Sequence, residues 1–98
     1  MNELEILRKN IDKVDEQLME LLGKRFALTE KVGQFKVSNA VNSVDPEREK
    51  AVIAKWTNLA AANGVDEVFA QKVARLVIDA VVGNHDRLKK LESDALIE

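Results

Sequence analysis

At 98 residues the chain has room for one domain with a modest core of its own, because chains this short leave much of their surface uncovered. Fifteen Lys and Arg against 17 Asp and Glu give a formal net charge of −2, so no global basic field holds nucleic acid or an anionic membrane, and any anion site must be local. The absence of cysteine removes disulfides, thiolate nucleophiles and cysteine-bound zinc, and one histidine among scattered carboxylates makes no metal-ligand spacing, so neither a metal nor a cofactor is expected.

Hydrophobic residues at 46% and charged residues at 33%, with only 4 Gly and 1 Pro, are the balance of an ordered helical protein rather than a disordered chain. The opening Met1-Asn2-Glu3-Leu4-Glu5 is acidic and lacks an apolar signal core, and the apolar runs are far too short to span a bilayer. A cytoplasmic protein with no membrane partner is the expectation.

From Leu4 onward, apolar residues return in steps of three and four: Leu4, Leu7, Ile11, Val14, Leu18, Leu21, then Leu28, Val32 and Phe35. That rhythm predicts one amphipathic helix over about 3–38, roughly 50 Å long. A compact 98-residue globule has a radius of gyration of about 13 Å and cannot cover such a rod, so a second copy of the chain is the simplest cover. The small, polar stretch from Ser38 to Val44 reads as a loop. Asp45-Pro46-Glu47 then supplies a cap, a proline at the first helical position and an early acid, which starts a second helix at about 46. This helix turns Val52, Ile53, Trp56 and Leu59 inward and ends by 62, before Asn63-Gly64. Asp66 is placed to cap a third helix over about 66–91, carrying Phe69, Val73, Leu76, Val77, Val81 and Leu88, with a frayed tail over 92–98. The fold class is all-α: one domain over 1–98, three helices with a long first one, paired as an intertwined homodimer.

The pattern breaks at Arg25, where the rhythm of the first helix calls for an apolar residue. A guanidinium in an apolar seam is costly unless it meets an anion, either a carboxylate of the protein in an interface salt bridge or one of a ligand. Lys36 lies eleven residues on, three turns to within about 20°, which puts both cations on one face about 16 Å apart. Arg8 borders the same seam about 25 Å from Arg25, too far to share a small ligand within one chain but able to arrive from the partner in an antiparallel dimer. Taken singly, Lys36 and Arg8 read first as solvated side chains whose stems lie along apolar surface. Arg48 and Glu49 follow the loop after Lys36 and bring a further cation and an acceptor to the same mouth, although Glu49 also suits the positive end of its helix. His85, one turn past Val81, continues the inward face of the third helix and offers an imidazole there, as a ligand contact or as a structural histidine.

Leu7-Arg8 with Ile11-Asp12 and Asp15, Leu21-Leu22, Arg25, Val32-Gly33, Lys36 and Asp45-Pro46-Glu47-Arg48-Glu49 together resemble the all-helical chorismate mutase family. The resemblance runs from about Leu4 to Leu88 and rests on the spacing from Arg8 to Arg25 to Lys36 to Arg48-Glu49. It implies two interlocked chains with two equivalent sites, a small dicarboxylate substrate and no cofactor. Arg25, and Arg8 from the other subunit, look like clamps for the substrate carboxylates, and Lys36 looks like the donor to the ether oxygen of the breaking bond. The resemblance also gives Arg48 an electrostatic role and lets Glu49, with backbone near Asp45, receive the ring hydroxyl. Where the family carries a glutamine that donates to the ether oxygen, this chain has His85, and where better-known members have a serine it has Val81. An imidazole donates the same hydrogen bond, more strongly when protonated, which implies activity rising as pH falls.

Those two departures also fit sister pericyclic enzymes on the same scaffold, an isochorismate-pyruvate lyase or a 4-amino-4-deoxychorismate mutase. The Lys36 to Arg48 spacing and Asp45 follow the mutase pattern rather than the lyase, while Glu49 accepts from an amine as well as from a hydroxyl. A third reading, from another class, is a non-catalytic dimerisation or regulatory module in which Arg25 pairs with a partner carboxylate and His85 is structural.

Overall fold

The computed structural model describes residues 2–97, with the side chains of Leu96 and Ile97 left aside; Met1 and Glu98, which close the expected domain and tail, lie outside the described residues. Three helices account for most of the chain: α1 over Glu3–Ser38, α2 over Pro46–Ala62 and α3 over Glu67–Ile97. Each start has a side-chain cap of the expected kind. The Asn2 side chain accepts from the Glu5 N–H at 2.9 Å, Asp45 from that of Arg48 at 3.1 Å, and Asp66 from that of Phe69 at 2.8 Å.

The first two helices have the bounds that the sequence predicts. The third begins one residue later, because Asp66 is its cap rather than its first turn, and it does not stop near Leu91. The expected frayed tail is corrected to helix through Ile97: no Gly or Pro stands between Leu91 and Ile97, so nothing in the residues breaks the hydrogen-bond ladder.

Both earlier helices end in the same type of cap. Val65 N–H reaches back to the Ala60 carbonyl at 2.9 Å around Gly64, whose φ of 69° is left-handed. After α1, the Val41 N–H bonds the Lys36 carbonyl at 2.8 Å and the Ala40 N–H the Val37 carbonyl at 3.3 Å, with Ala40 at φ 55°. Ala40 thus occupies a position that favours glycine. The motif turns the loop back over the last turn of α1, next to Lys36.

α3 is the shared element, packing against both α1 and α2. The core between them is narrow and made largely of small side chains: Val52 and Ala60 from α2, and Ala70, Ala74, Val77 and Ile78 from α3. Gly33 is the one buried position on α1, and a Cβ there would stand 3.2 Å from Leu88 Cδ1, so the missing side chain sets how closely α1 and α3 approach.

Half of α1 has no cover at all. Every residue from Asn2 to Leu21 is exposed, including Leu7, Ile11, Val14 and Leu18, which retain between 51% and 60% of their accessible surface. The molecule measures 62 × 29 × 15 Å, and its radius of gyration of 17.7 Å is well above the roughly 13 Å of a compact chain this long. Among the described residues, no helix is long and apolar enough to cross a membrane.

Candidate active site

Where α1, the 39–45 loop, α2 and α3 meet, a cavity of about 150 Å³ opens. α1 lines it with Arg25, Thr29, Val32 and Lys36, at spacings of four, three and four residues that keep them on one helical face. The two cations separated by three turns therefore do point into one space. Ser43 and Asp45 come from the loop, Arg48, Glu49 and Val52 from the first two turns of α2, and Ile78, Val81 and Val82 from α3. Charged groups thus enter from α1, the loop and α2, and α3 supplies an apolar floor.

The ionic balance is lopsided. Arg25, Lys36 and Arg48 make no ion pair among the described residues, whereas both carboxylates already have donors. Asp45 caps α2 through Arg48 N–H, and Glu49 accepts from the Arg75 guanidinium at 2.9 and 3.0 Å. Ser43 donates to Asp86, which ties the loop to α3. Arg25 lies with its guanidinium carbon 5.6 Å from the centroid of the Trp56 ring, a cation–π distance, and its Nη1 is buried without a hydrogen-bond partner. A buried donor on a permanent cation is costly when left unmet, so an anion placed here would be stabilised.

The structure gathers Arg25, Lys36, Asp45, Arg48, Glu49 and Val81 around the cavity and leaves two expected residues elsewhere. Arg8 stands on the uncovered half of α1, 17 residues and about 25 Å from Arg25, as helix geometry requires. His85, expected to face the cations, is not among the lining residues: Val81 and Val82 form that wall, and one turn further on the imidazole is 4% exposed with Nε2 unpartnered. Burial first, and then the nearby Lys36 charge, push the His85 pKa below its ordinary value, with Asp86 opposing.

Three contributors escape sequence reasoning. Trp56 reads there as one more inward apolar residue, Ser43 as part of a polar loop, and Arg75 is not singled out. The available signal was partial: Trp56 sits one turn beyond Val52, on the face toward α1, but nothing in the residues says that Arg25 is what it meets.

The chorismate mutase type II family model matches residues 7–85. The chain belongs to that family, whose members are isomerases that rearrange chorismate to prephenate. Among individual proteins, it is 30% identical over 73 residues to a chorismate mutase of Methanocaldococcus jannaschii, covering 74% of each chain. It is 30% identical over 87 residues to a bifunctional chorismate mutase/prephenate dehydratase of Buchnera aphidicola, covering 89% of this chain but only 23% of that protein. A 4-amino-4-deoxychorismate mutase of Streptomyces venezuelae is 27% identical over 92 residues, with 94% of this chain and 89% of the relative covered. The chain therefore spans less than a quarter of the bifunctional relative and most of the two monofunctional ones.

Proposed function

We propose that the chain is a chorismate mutase whose sites form between two copies of it. The observation that carries this reading is the buried, unpartnered Arg25 Nη1 in a cavity that also holds Lys36 and Arg48. A Claisen rearrangement needs no nucleophile or redox carrier. It needs a substrate held in its folded conformer and positive charge where the ether oxygen becomes negative. Arg25 grips one substrate carboxylate, and Arg8 of the partner subunit the other. Lys36 donates to the ether oxygen, and Arg48 adds to the positive field. Glu49, set beside the Asp45 cap, accepts from the ring hydroxyl. His85 does not line the cavity; buried behind Val81 and Val82 near Lys36, it sets the charge at that end of the pocket, more positive when protonated.

Pairing is supported by surface as well as by charge. The chain exposes 7795 Å², against about 5,600 Å² for a compact monomer of 11.0 kDa. The surplus is of the order that permanent dimers bury per subunit. Its apolar part is the Leu7, Ile11, Val14, Leu18 stripe of α1, and an antiparallel copy laid along that stripe carries its own Arg8 toward Arg25.

The test is to offer the purified protein chorismate, isochorismate and 4-amino-4-deoxychorismate, following substrate loss, prephenate and pyruvate, with the assembly state read by sedimentation. Prephenate from chorismate, no pyruvate from isochorismate, and a dimer are the expected results. Exclusive turnover of the amino compound would instead support the second reading, which the near-full-length match to an aminodeoxychorismate mutase favours.

A further inference from the structure

Arg75 touches the site without lining it. It lies on α3 with its side chain 45% exposed and reaches Glu49 from outside the cavity, placing Nη1 and Nη2 at 2.9 and 3.0 Å from the same oxygen, Oε1. Nη1 also lies 3.3 Å from Asp79 Oδ1, one turn further along α3. Glu49 keeps only 18% of its side-chain surface, and among the described residues no hydrogen bond engages its Oε2. Glu49, which lines the cavity, thus keeps Oε2 without a hydrogen bond while a cation holds Oε1.

That arrangement separates two ring substituents by charge. A hydroxyl is neutral and needs only an acceptor, which Oε2 provides. A primary amine on the ring is an ammonium near neutral pH, and it needs net negative charge nearby, which the guanidinium cancels. We propose that Arg75 is a specificity-determining residue: by neutralising Glu49 from outside, it favours a hydroxyl over an ammonium at the ring position Glu49 faces. This rests on the reading that Glu49 receives that substituent, and the experiment is chosen to separate the two claims.

The quantity to measure is the preference for chorismate over 4-amino-4-deoxychorismate, as a ratio of kcat/KM or, for an analogue bound without turnover, as its inhibition constant against chorismate. Arg75→Gln, which keeps a polar side chain but loses the charge, is expected to lower the preference roughly two- to fivefold, the scale of a half-exposed ion pair. Arg75→Lys restores it. Asp79→Asn removes the competing carboxylate and leaves the preference at or above the starting value. In a Glu49→Gln background, Arg75→Gln has no further effect on the ratio. An unchanged ratio in Arg75→Gln, or Arg75→Lys behaving like Arg75→Gln, overturns the proposal. If Glu49→Gln leaves both substrates unaffected, the placement of Glu49 itself is wrong; if it impairs both while Arg75→Gln leaves the ratio unmoved, only the role of Arg75 falls.

Discussion

Replacing Arg25 by Met should push activity and stability in opposite directions. In the folded chain, Arg25 carries a buried Nη1 with no partner, and it gains from its position over Trp56. Leaving such a donor unmet costs about 1–3 kcal/mol, and the cation–π contact returns about 0.5–2 kcal/mol. Methionine keeps the stem packing and removes the unmet donor, a net change of about −1 to +2.5 kcal/mol that its sulfur–aromatic contact moves toward the stabilising end. Substrate binding reverses this, because the guanidinium then meets a desolvated carboxylate. Truncating one member of such a pair costs about 2–5 kcal/mol, a loss of roughly 30-fold to several-thousand-fold in kcat/KM. Prephenate formation at subsaturating chorismate reads the first quantity, and thermal unfolding followed by circular dichroism reads the second. A clear drop in melting temperature, with activity falling only as the fold or the dimer is lost, would make Arg25 a structural ion-pairing residue and refute the clamp.

The remaining expectations concern the histidine, one turn and the uncovered helix. Because burial and Lys36 hold the His85 pKa below 6.5, the unfolded chain takes up a proton first as pH falls. Stability is then full above about pH 6.5 and declines as pH drops toward the folded-state value, by at most about 1.4 kcal/mol per pH unit, with His85→Gln removing this slope in melts between pH 7.5 and 5.5. Protonation of His85 adds positive charge at the Lys36 end, so kcat/KM is expected to rise over the same acidic range, below rather than at the ordinary histidine value, and a flat profile from pH 8 to 5 would rule that role out. Ala40→Gly relieves the left-handed φ of 55° and is expected to add about 1 kcal/mol, measurable as a higher midpoint in denaturant titration. Val14→Lys puts a charge on a stripe position that is 60% exposed in the single chain, so it should shift sedimentation toward monomer and abolish activity with it. A fully active Val14→Lys dimer would contradict pairing along that stripe.

The backbone was the legible part of this molecule. Periodicity of three and four marked α1 from Leu4 to Phe35, and Asp45-Pro46 and Asn63-Gly64 marked the limits of α2, because caps and breakers act within a few residues of where they stand. The end of α3 was missed, since a polar but helix-compatible run such as Glu92-Ser93-Asp94 carries no stop signal of its own. In the site, Arg25 and Lys36 could be matched because one rigid helix fixes their relation. Partners brought by other helices were hidden: Trp56 under Arg25 and Arg75 behind Glu49 depend on how α2 and α3 dock. His85 lies in between, since helical spacing places it on the inward face but says nothing of its depth behind Val81 and Val82.

Under the proposed pairing, the bare half of α1 also ties the fate of the fold to how much of the protein is present. If the missing cover is a second copy, assembly is bimolecular, and every tenfold dilution removes about 1.4 kcal/mol from the paired state. With a narrow core of small side chains to fall back on, a lone subunit has little reserve, so scarcity of the polypeptide would silence it as effectively as a mutation.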